Sequence, residues 1–329
     1  MQRSLKNIND RIFNLQNEQE FQKISLEIFD YQMKNNELYS KFALLTLKNK
    51  KPKKIEEIPF LPIEFFKTNE IKTCNTKTEI IFKSSGTDGV RSKHFVTCIE
   101  TYKRNFITNF EENYGPAKDL CILALLPSYL ENGDSSLIFM VDELIKISNN
   151  NDSGFYNSNF LKISNTIKKQ EAKNKKTILI GVTYSLLDFA KDYGQKLNCT
   201  TIIETGGMKG KRKELMKEEI HNILKSSFSL KNIHSEYGMT ELLSQAYSKN
   251  HGVFISPKWM KVLVRDINDP ITLLNDNQSG GINIIDLANF NSCPFIATQD
   301  IGVKLGGNKF KITGRFSNAD VRGCNLLIE

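Results

Sequence analysis

A glycine- and hydroxyl-rich loop contains the first residues of this sequence that suggest a chemistry. Residues 82–95 read F-K-S-S-G-T-D-G-V-R-S-K-H-F. Gly86 and Gly89 let the backbone approach a ligand closely, and successive loop N–H groups can form an anion-binding concavity. Hydroxyl and cationic side chains surround these glycines: Ser84, Ser85, Thr87, Lys83, Arg91 and Lys93. A polyphosphate is the simplest ligand for such a loop. A Ser/Gly turn that only connects two strands fits this stretch equally well. The spacing excludes a Walker P-loop, because no Gly-Lys-Ser/Thr follows the glycines.

A second basic stretch follows an apolar strand pattern. Residues 205–212 read T-G-G-M-K-G-K-R, directly after the run T-T-I-I-E. The predicted strand opens through glycines into the start of a helix near Lys209 and Lys211. Cations at a helix N-terminus oppose the helix dipole. The arrangement therefore favours a bound anion slightly over a solvated surface turn.

The densest group of reactive side chains is the stretch 234–241, which reads H-S-E-Y-G-M-T-E. An aromatic ring, a hydroxyl and carboxylates lie here around Gly238. This combination suits a nucleotide, with the base on Tyr237, a phosphate oxygen on Thr240 and Mg²⁺ on Glu241.

A fourth stretch, T-Q-D-I-G at residues 298–302, places Asp300 near a predicted strand end. An aspartate that follows a strand often accepts hydrogen bonds from ribose hydroxyls, and aspartates are equally common in turns. Each of the four stretches is a weak signal alone. Their presence in one chain indicates nucleotide chemistry.

Strand and helix patterns alternate through the middle of the chain, which predicts an α/β fold with a mainly parallel sheet. Apolar runs predict strands buried on both faces at residues 120–126, 177–182 and 200–205. Helical patterns occupy residues 97–114, 135–147, 186–193 and 211–225. The last of these helices is predicted to turn one apolar side inward, formed by Leu215, Met216, Ile220, Ile223 and Leu224.

The sequence patterns at the two ends of the chain differ from those of this core. Residues 7–48 carry a helical pattern, and a proline-punctuated link, I-P-F-L-P-I-E-F-F-K, follows them. The last third contains short strand patterns at residues 253–256, 261–267, 281–285, 302–305 and 310–313. We therefore predict four segments: an N-terminal helical segment with its linker at 1–75, an α/β core at 76–250, a small β-rich subdomain at 251–313 and a tail at 314–329.

Composition narrows the class of protein. The chain has 329 residues and a formal net charge of +8, much of it in lysine runs without interleaved aromatics. No nucleic-acid-binding motif accompanies these runs, so they predict solvated surface. No apolar leader and no stretch long enough to span a bilayer is seen in the sequence. The six cysteines show no zinc-ligand spacing, which predicts reduced thiols in a cytoplasmic protein without an integral membrane segment.

The order of the motifs resembles that of the adenylate-forming enzymes: S-S-G-T-x-G, then Y-G-x-T-E, then an Asp-Gly element, then G-R…R-G. Three longer stretches are more specific: I-P-F-L-P-I-E-F-F-K, T-G-G-M-K-G-K-R-K-E and S-E-Y-G-M-T-E-L-L-S-Q-A-Y. They resemble the LuxE-type acyl-protein synthetases, which are related to phenylacetate–CoA ligases. The resemblance runs from about Tyr31 to the C-terminus and implies the large-domain fold of the adenylate-forming enzymes, with a truncated C-terminal domain.

The resemblance implies a role for each motif. The loop residues Ser84, Ser85, Gly86, Thr87, Asp88 and Gly89 would enclose the β- and γ-phosphates of ATP. Tyr237 would pack on adenine, Thr240 would contact the α-phosphate and Glu241 would hold Mg²⁺. Asp300 would bind ribose, and Arg315 would approach the nucleotide from the hinge. The implied reaction joins a carboxylate to ATP, releases pyrophosphate and passes the acyl group to a thiol.

Two features depart from the wider superfamily. Its members carry a mobile C-terminal domain after the G-R…R-G hinge, with a lysine that meets the α-phosphate, whereas this sequence ends a few residues beyond Arg322-Gly323. Lys209, Lys211 or a residue of a partner protein is expected to take that place. The usual hinge carboxylate near Arg315 is replaced by Ser317, with Asp320 close in sequence.

Cys324 lies in the short tail R-G-C-N-L-L-I-E. In LuxE-type enzymes a cysteine near the C-terminus accepts the acyl group, so the resemblance implies an acyl-thioester here and a partner reductase or carrier protein that receives the acyl group. A small buried tail residue is the structural alternative. Two functional alternatives also stay open: an acyl-CoA ligase or acyltransferase, and a catalytically silent acyl- or nucleotide-binding subunit.

Overall fold

The protein, seen here as a computed structural model, is described for residues 2–48, 50–73, 76–85, 90–126, 134–206 and 215–316. Contacts within the chain divide it into two compact units. The first unit combines Met1–Phe66, Ile71–Thr76 and Lys258–Glu329, and the second combines Lys67–Glu70 and Lys77–Pro257. The two ends of the chain therefore share one unit.

Three helices open the first unit: α1 (Gln2–Phe13), α2 (Glu18–Asn35) and α3 (Glu37–Leu47). Asn36 joins α2 to α3, because it ends the first helix and its side chain accepts a hydrogen bond from Tyr39 N, which caps the second. The Asn36 amide also donates to Ser292 O at 3.0 Å. Helix residues thus reach partners some 250 positions later in the chain, which sequence periodicity cannot reveal.

The sheet of the first unit is an antiparallel meander of β11 (Met260–Arg265), β12 (Ser279–Asp286), β13 (Phe295–Lys304) and β14 (Lys309–Arg315). The short strand β1 (Leu61–Pro62), from the proline-rich link, pairs in parallel with β13. Short 3₁₀ turns lie at Ile55–Glu57 and Leu287–Asn289. Aromatic rings of the helices pack on these strands, as in the contact between Phe29 on α2 and Phe295 on β13.

The second unit holds a sheet with strand order β10-β9-β8-β7-β6-β4-β5. Its strands are β4 (Cys121–Leu125), β5 (Gly154–Phe155), β6 (Thr177–Val182), β7 (Thr200–Thr205), β8 (His234–Tyr237), β9 (Ala246–Ser248) and β10 (Phe254–Ile255). Neighbouring strands are parallel from β5 through β4, β6 and β7 to β8. Strand β9 is antiparallel to β8, and β10 is antiparallel to β9. Apolar residues fill β4 and β6, which are buried throughout. The predicted α/β class is confirmed.

Helices cover this sheet on both faces. They are α5 (Ile99–Tyr114), α6 (Ser136–Ser148), α7 (Phe160–Ala172), α8 (Thr183–Tyr193) and α9 (Lys217–Phe228), with a short helix α4 (Phe65–Thr68) at the unit boundary and a 3₁₀ turn at Ala117–Asp119. Helices α5 and α6 meet through stacked Tyr102 and Phe139, and α8 and α9 through stacked Phe189 and Phe228. A separate hairpin of β2 (Ile80–Lys83) and β3 (Lys93–Val96) packs Phe82 on Tyr102.

The helix predicted at 211–225 differs from the observed α9. Residues 211–214 lie outside the described part, and Met216 is the N-cap residue with 70% of its surface exposed. Ile220 and Leu224 face inward as predicted, whereas Ile223 is 43% exposed. The helix therefore begins later than its apolar pattern suggests, and its buried stripe is narrower.

No helix in the described ranges is both long and apolar enough to cross a bilayer. The cysteines that fall within those ranges, Cys98, Cys121, Cys199 and Cys293, are free thiols.

Candidate functional site

The base of the glycine-rich loop is closed by hydrogen bonds between its two ends. Ser84 N donates to Ser92 O at 3.0 Å, and Ser92 N donates to Ser84 Oγ at 3.0 Å. Arg91 Nε donates to Ser84 O. These bonds fix where the loop leaves β2 and enters β3. Ser84 and Ser85 are half-buried, whereas Gly86, Thr87 and Gly89 lie outside the described residues.

The cations beside this loop are partly neutralised by one carboxylate. Asp134 Oδ2 lies 2.7 Å from Lys83 Nζ, and Asp134 Oδ1 lies 3.2 Å from Arg91 Nη2. Burial opposes ionisation of Asp134, but these two cations hold its pKa below the usual value. Lys93 is exposed. Asp134 thus anchors Lys83 and Arg91 at the foot of the loop.

The motif Y-G-M-T-E begins at the carboxyl end of β8. The Tyr237 ring is half-buried and lies 5.6 Å from the ring of Phe254, at 54°. Close packing around position 238 explains why a glycine lies there. A Cβ at this position would lie 2.4 Å from Oε1 of Glu236 and 3.3 Å from the Gln245 side chain. A side chain at position 238 would therefore displace the Glu236 carboxylate.

Residues 238–245, which we call the motif loop, connect β8 to β9 without regular secondary structure. Leu242 N donates to Met239 O at 3.2 Å, which forms a turn at Thr240 and Glu241. Glu241 is buried, with 6% of its surface exposed, and Thr240 is half-buried. A buried loop without ladder bonds must satisfy its backbone groups through other partners, and side chains are among them.

His94 provides one such side chain. It lies on β3, beyond the glycine-rich loop, and is 1% exposed. Its Nδ1 is 2.7 Å from Thr240 O. Because a carbonyl oxygen can only accept, Nδ1 carries the proton. The strand that follows Ser84 and Ser85 is thereby bonded to the residue pair Thr240–Glu241, so the structure brings these two sequence motifs together in the second unit.

A buried carboxylate lies on one face of the sheet at the end of β7. Glu204 accepts hydrogen bonds from Thr183 Oγ1 at 2.6 Å and Ser235 Oγ at 3.2 Å, and its Oε2 lies 3.4 Å from Lys217 Nζ and 3.8 Å from His221 Nε2. Burial disfavours its charged form, but the charge of Lys217, the nearby His221 and the hydrogen bond from Thr183 outweigh burial and lower the pKa of Glu204 to about 2.

A second carboxylate lies on the opposite face. Thr205, the residue after Glu204, pairs with Glu236 on β8 and donates from Oγ1 to Glu236 Oε2 at 2.5 Å. Burial, aided by the charge of Glu204, raises the pKa of Glu236 to about 7, against the opposing effects of Thr205 and Lys217. Glu236 is thus a carboxyl group that changes charge near neutral pH.

Asp300 and Arg315 lie in the first unit, where they are register partners of β13 and β14. Arg315 Nε lies 3.9 Å from Asp300 Oδ1, and the Arg315 side chain is largely exposed. The sequence places Asp300 at a strand end, which is wrong: β13 continues to Lys304, and a bulge follows Ile301. Asp300 N donates to Thr298 Oγ1 at 3.1 Å, so its backbone is held by its own strand.

A buried arginine supports this region. Arg265 donates to Ile282 O at 2.8 Å, to Asn283 Oδ1 at 2.8 Å and to Thr298 O at 2.6 Å. Gly281 leaves room for it, since a Cβ there would lie 2.6 Å from Arg265 Cζ. Burial lowers the pKa of Arg265. These bonds link β11 to β12 and to β13, the strand that contains Asp300.

Several candidate residues fall outside the described part of the chain: Gly86, Thr87, Gly89, Lys209 and Cys324. Glu204, which precedes the stretch 205–212, is not among the residues that the sequence motifs single out. A signal existed for Glu204, because a charged residue inside an apolar strand must find partners. Among the described residues no group of three His, Cys, Asp or Glu side chains is arranged to hold a metal ion.

Solved structures of similar fold include ATP-bound MatB from Rhodopseudomonas palustris, with a TM-score of 0.55, 15% identity, and coverage of 74% of this chain and 50% of that one. An open conformation of 2-hydroxyisobutyryl-CoA ligase, in complex with 2-HIB-AMP and CoA, has a TM-score of 0.61 at 10% identity and covers 91% of this chain and 70% of the ligase. The luciferase-like enzyme of the mealworm Zophobas morio has a TM-score of 0.52, 14% identity, and coverage of 82% and 61%.

These similarities show that the fold is that of the adenylate-forming ligases. This chain spans about half the length of the MatB structures that it matches. No curated protein matches its sequence significantly. A comparison with protein families aligns residues 10–329 with the family described as acyl-protein synthetase, LuxE. That match covers nearly the whole chain, and the protein therefore belongs to the LuxE family of acyl-protein synthetases.

Proposed function

We propose that this protein activates a carboxylic acid, in the first instance a fatty acid, with ATP and transfers the acyl group to a protein thiol. Membership of the acyl-protein synthetase family supports this proposal. The fold supports it as well, since similar structures were solved with ATP or with an acyl-adenylate bound.

One observation carries the proposal: the hydrogen bond between His94 and Thr240 O joins the hydroxyl-rich loop to the motif loop. Hydroxyl and backbone N–H donors near Ser84 and Ser85 would hold the β- and γ-phosphates, together with Gly86, Thr87 and Gly89. Thr240 would contact the α-phosphate. Both groups of donors belong to the second unit.

The aromatic pair Tyr237 and Phe254 supports an adenine site. Tyr237 is half-buried, so part of its ring stays open to a base, and Phe254 holds it from the side at 5.6 Å. Lys217 Nζ lies 4.8 Å from the centre of the Phe254 ring. Gly238 would let the nucleotide approach the backbone closely. In the first unit, Asp300 would accept hydrogen bonds from the ribose hydroxyls, and Arg315 would contact the nucleotide.

Glu241 is the proposed protein ligand of Mg²⁺. Mg²⁺ in phosphoryl-transfer sites is commonly held by one or two carboxylates, phosphate oxygens and water. A single carboxylate next to the triphosphate is therefore sufficient. The ion would neutralise charge on the phosphates.

The first step needs positioning and charge neutralisation more than a base, because a carboxylic acid is already ionised at neutral pH. A carboxylate oxygen forms a bond to the α-phosphorus, the bond from that phosphorus to the bridging oxygen breaks, and pyrophosphate leaves. In the second step a thiolate attacks the acyl carbon and AMP leaves. Lys209 is the proposed cation near the α-phosphate.

Cys324 is the proposed acceptor of the acyl group, and a partner reductase or carrier protein would receive it next. Two of the described cysteines, Cys293 and Cys121, are poor acceptors. Cys293 is fully buried, and burial raises the pKa of its thiol to about 12. Cys121 is buried in β4, with its pKa raised to about 11 for the same reason.

The test combines two assays on the full chain. ATP–pyrophosphate exchange with a panel of carboxylic acids measures adenylation. Labelled acid and ATP should then leave a hydroxylamine-labile label on the protein, which Cys324→Ser should lose while it keeps exchange activity. Cys293→Ser is the matched control and should keep both.

Each contrary result has a definite meaning. Absence of exchange with every acid would favour a silent binding subunit. Formation of acyl-CoA in the presence of CoA, without labelled protein, would replace the proposal with an acyl-CoA ligase. Label that persists in Cys324→Ser would exclude that residue as the acceptor.

A further inference from the structure

The second half of the motif loop is unusual for a loop because it is buried. Residues 241–245 are all buried, although they form no strand or helix. Buried carbonyl groups need donors, and loops at the surface obtain them from water. Gln245 Nε2, from the loop itself, donates to Leu243 O at 3.0 Å. Three further side chains that bond to the loop come from the segment 94–109, and they contact two of its carbonyl groups and one of its hydroxyl groups.

The first donor is His94 on β3, which bonds to Thr240 O at 2.7 Å. The other two lie on α5 and are four positions apart, which places them on one face of the helix. Asn105 Nδ2 donates to Ser244 Oγ at 3.0 Å, and Asn109 Nδ2 donates to Gln245 O at 2.8 Å. His94, Asn105 and Asn109 are each at most 2% exposed.

We infer that His94, Asn105 and Asn109, which we call the loop clamp, are positioning residues that set the motif loop relative to the hairpin of β2 and β3. The inference rests on the proposed function, because it assigns the clamp to the site where ATP would bind. The clamp acts through Thr240 and the loop end near Gln245.

The geometry of the clamp explains its effect on the site. His94 holds the start of the motif loop, and the two asparagines hold its end, so Glu241 lies between fixed points. The hydroxyls of Ser84 and Ser85 lie on the same hairpin as His94, because β2 and β3 pair through the register Lys83↔Lys93 and Phe82↔His94. A shift of His94 would therefore change the distance between the two groups of proposed phosphate donors.

The clamp can be tested with variants that separate the donor from the volume of the side chain. His94→Leu removes the donor and roughly keeps the volume. His94→Asn keeps a donor, since the asparagine amide nitrogen takes the place of the imidazole Nδ1. His94→Gln places its amide near the former Nε2 instead, and it serves where the leucine variant does not fold. Gln170→Met is the control, because it removes a different, partly buried hydrogen bond of the same unit, from Gln170 Nε2 to Asp152 Oδ2.

Two readouts are needed. Hydrogen–deuterium exchange should become at least tenfold faster in peptides that cover residues 238–245 of His94→Leu, and change little elsewhere. ATP–pyrophosphate exchange should lose at least tenfold in kcat/KM for ATP. His94→Asn should stay within about threefold of the wild type in both measurements, and Gln170→Met should leave both unchanged.

The two readouts separate this inference from the proposed function. Unchanged deuterium exchange in the motif loop of His94→Leu or His94→Gln would overturn the clamp. Normal kcat/KM in a His94 variant whose loop has become mobile would overturn the positioning role, as would an asparagine variant as impaired as leucine. A wild-type protein that catalyses no exchange, but whose loop responds as expected, would retain the clamp and refute the proposed function.

Discussion

Glu204 and Glu236 lie on opposite faces of one sheet, at the ends of neighbouring strands, and their pKa values are shifted in opposite directions. Glu204 pairs in register with Ser235, and the next residue, Thr205, pairs with Glu236. Because successive residues of a strand alternate between faces, the two carboxyl groups meet different surroundings. Lys217 and His221 surround one, whereas buried phenols, including those of Tyr102 and Tyr247, lie near the other.

Glu236 should make stability depend on pH between about 4.5 and 7. Its pKa is raised from 4.5 to about 7 in the folded protein, so the folded state keeps a proton that the unfolded chain releases. The stability that Glu236 contributes is therefore full below about pH 4.5 and is lost as pH rises to 7. Glu236→Gln, which mimics the protonated form, should be more stable than wild type above pH 7, on the order of 1–3 kcal/mol.

Urea unfolding of both proteins from pH 4.5 to 8 measures this difference. Burial and Lys249 lower the pKa of His234 to about 4, so the stability that His234 contributes rises with pH, opposite to that of Glu236. Both proteins contain His234, and its contribution cancels when one stability curve is subtracted from the other. A difference that is flat across this pH range would refute the assignment.

The strands of the second unit could be predicted closely because their cause is local. An apolar run bounded by polar residues produces a buried strand, and β6 and β7 coincide with the predicted 177–182 and 200–205. The start of α9 could not be predicted, because its first turn lacks an apolar stripe and begins with Lys217, whose charge is balanced by Glu204 from another strand.

The sequence predicts the motifs of the candidate site, but it does not predict how they are arranged in space. Residues such as Tyr237, Thr240 and Glu241 are visible in the sequence because they are close together. The bond from His94 to Thr240 joins residues 146 positions apart, and no periodicity reports such a contact. The position of Asp300 inside β13 was missed for a similar reason: the pairing with β14 extends the strand beyond its apolar part.

Lys217→Met should destabilise the protein by about 1–2 kcal/mol at neutral pH. The change leaves the buried Glu204 carboxylate without its nearest cation and uncovers the Phe254 ring. Glu204 has a lowered pKa, so the stability that its ionised form contributes is present above about pH 4.5 and is lost as pH falls towards 2. The difference between variant and wild type should therefore shrink at acid pH.

Thermal or urea unfolding at pH 7 and at pH 3 checks this expectation. Lys146→Met is a suitable control, since Lys146 forms exposed ion pairs with Asp142 and Glu143 on its own helix, and such pairs contribute little. Equal effects of the two substitutions would argue against a special role of Lys217.

Asp300→Ala should weaken nucleotide binding by about tenfold or more, because it removes the proposed acceptor for the ribose hydroxyls. The ribose is remote from the reacting atoms, so the loss should appear in the KM for ATP before it appears in kcat. Calorimetric titration with ADP or AMP measures the affinity directly. Asp276→Ala, which removes an exposed partner of Lys304 in the same unit, should bind like wild type. Equal affinities of wild type and Asp300→Ala would reject the role.

Glu241→Gln should lower ATP–pyrophosphate exchange by roughly a hundredfold, about 3 kcal/mol of transition-state stabilisation. The substitution keeps the size of the side chain and removes the negative charge proposed to hold Mg²⁺. The loss should be largest at limiting Mg²⁺ and should be partly recovered at high Mg²⁺, because weaker binding of the ion is offset by its concentration. A purely structural role would give a loss that does not depend on Mg²⁺.

Glu143→Gln is the matched control for this experiment. Glu143 lies in the same unit and pairs with Lys103 and Lys146 on the helical surface, so its substitution should leave exchange within about twofold. The unfolding midpoint of Glu241→Gln should be measured beside its activity, since Glu241 is buried. Exchange within a few-fold of wild type at limiting Mg²⁺ would exclude Glu241 as the metal ligand. The charge that neutralises the triphosphate would then have to be held elsewhere, with the basic stretch that contains Lys209 as the next candidate.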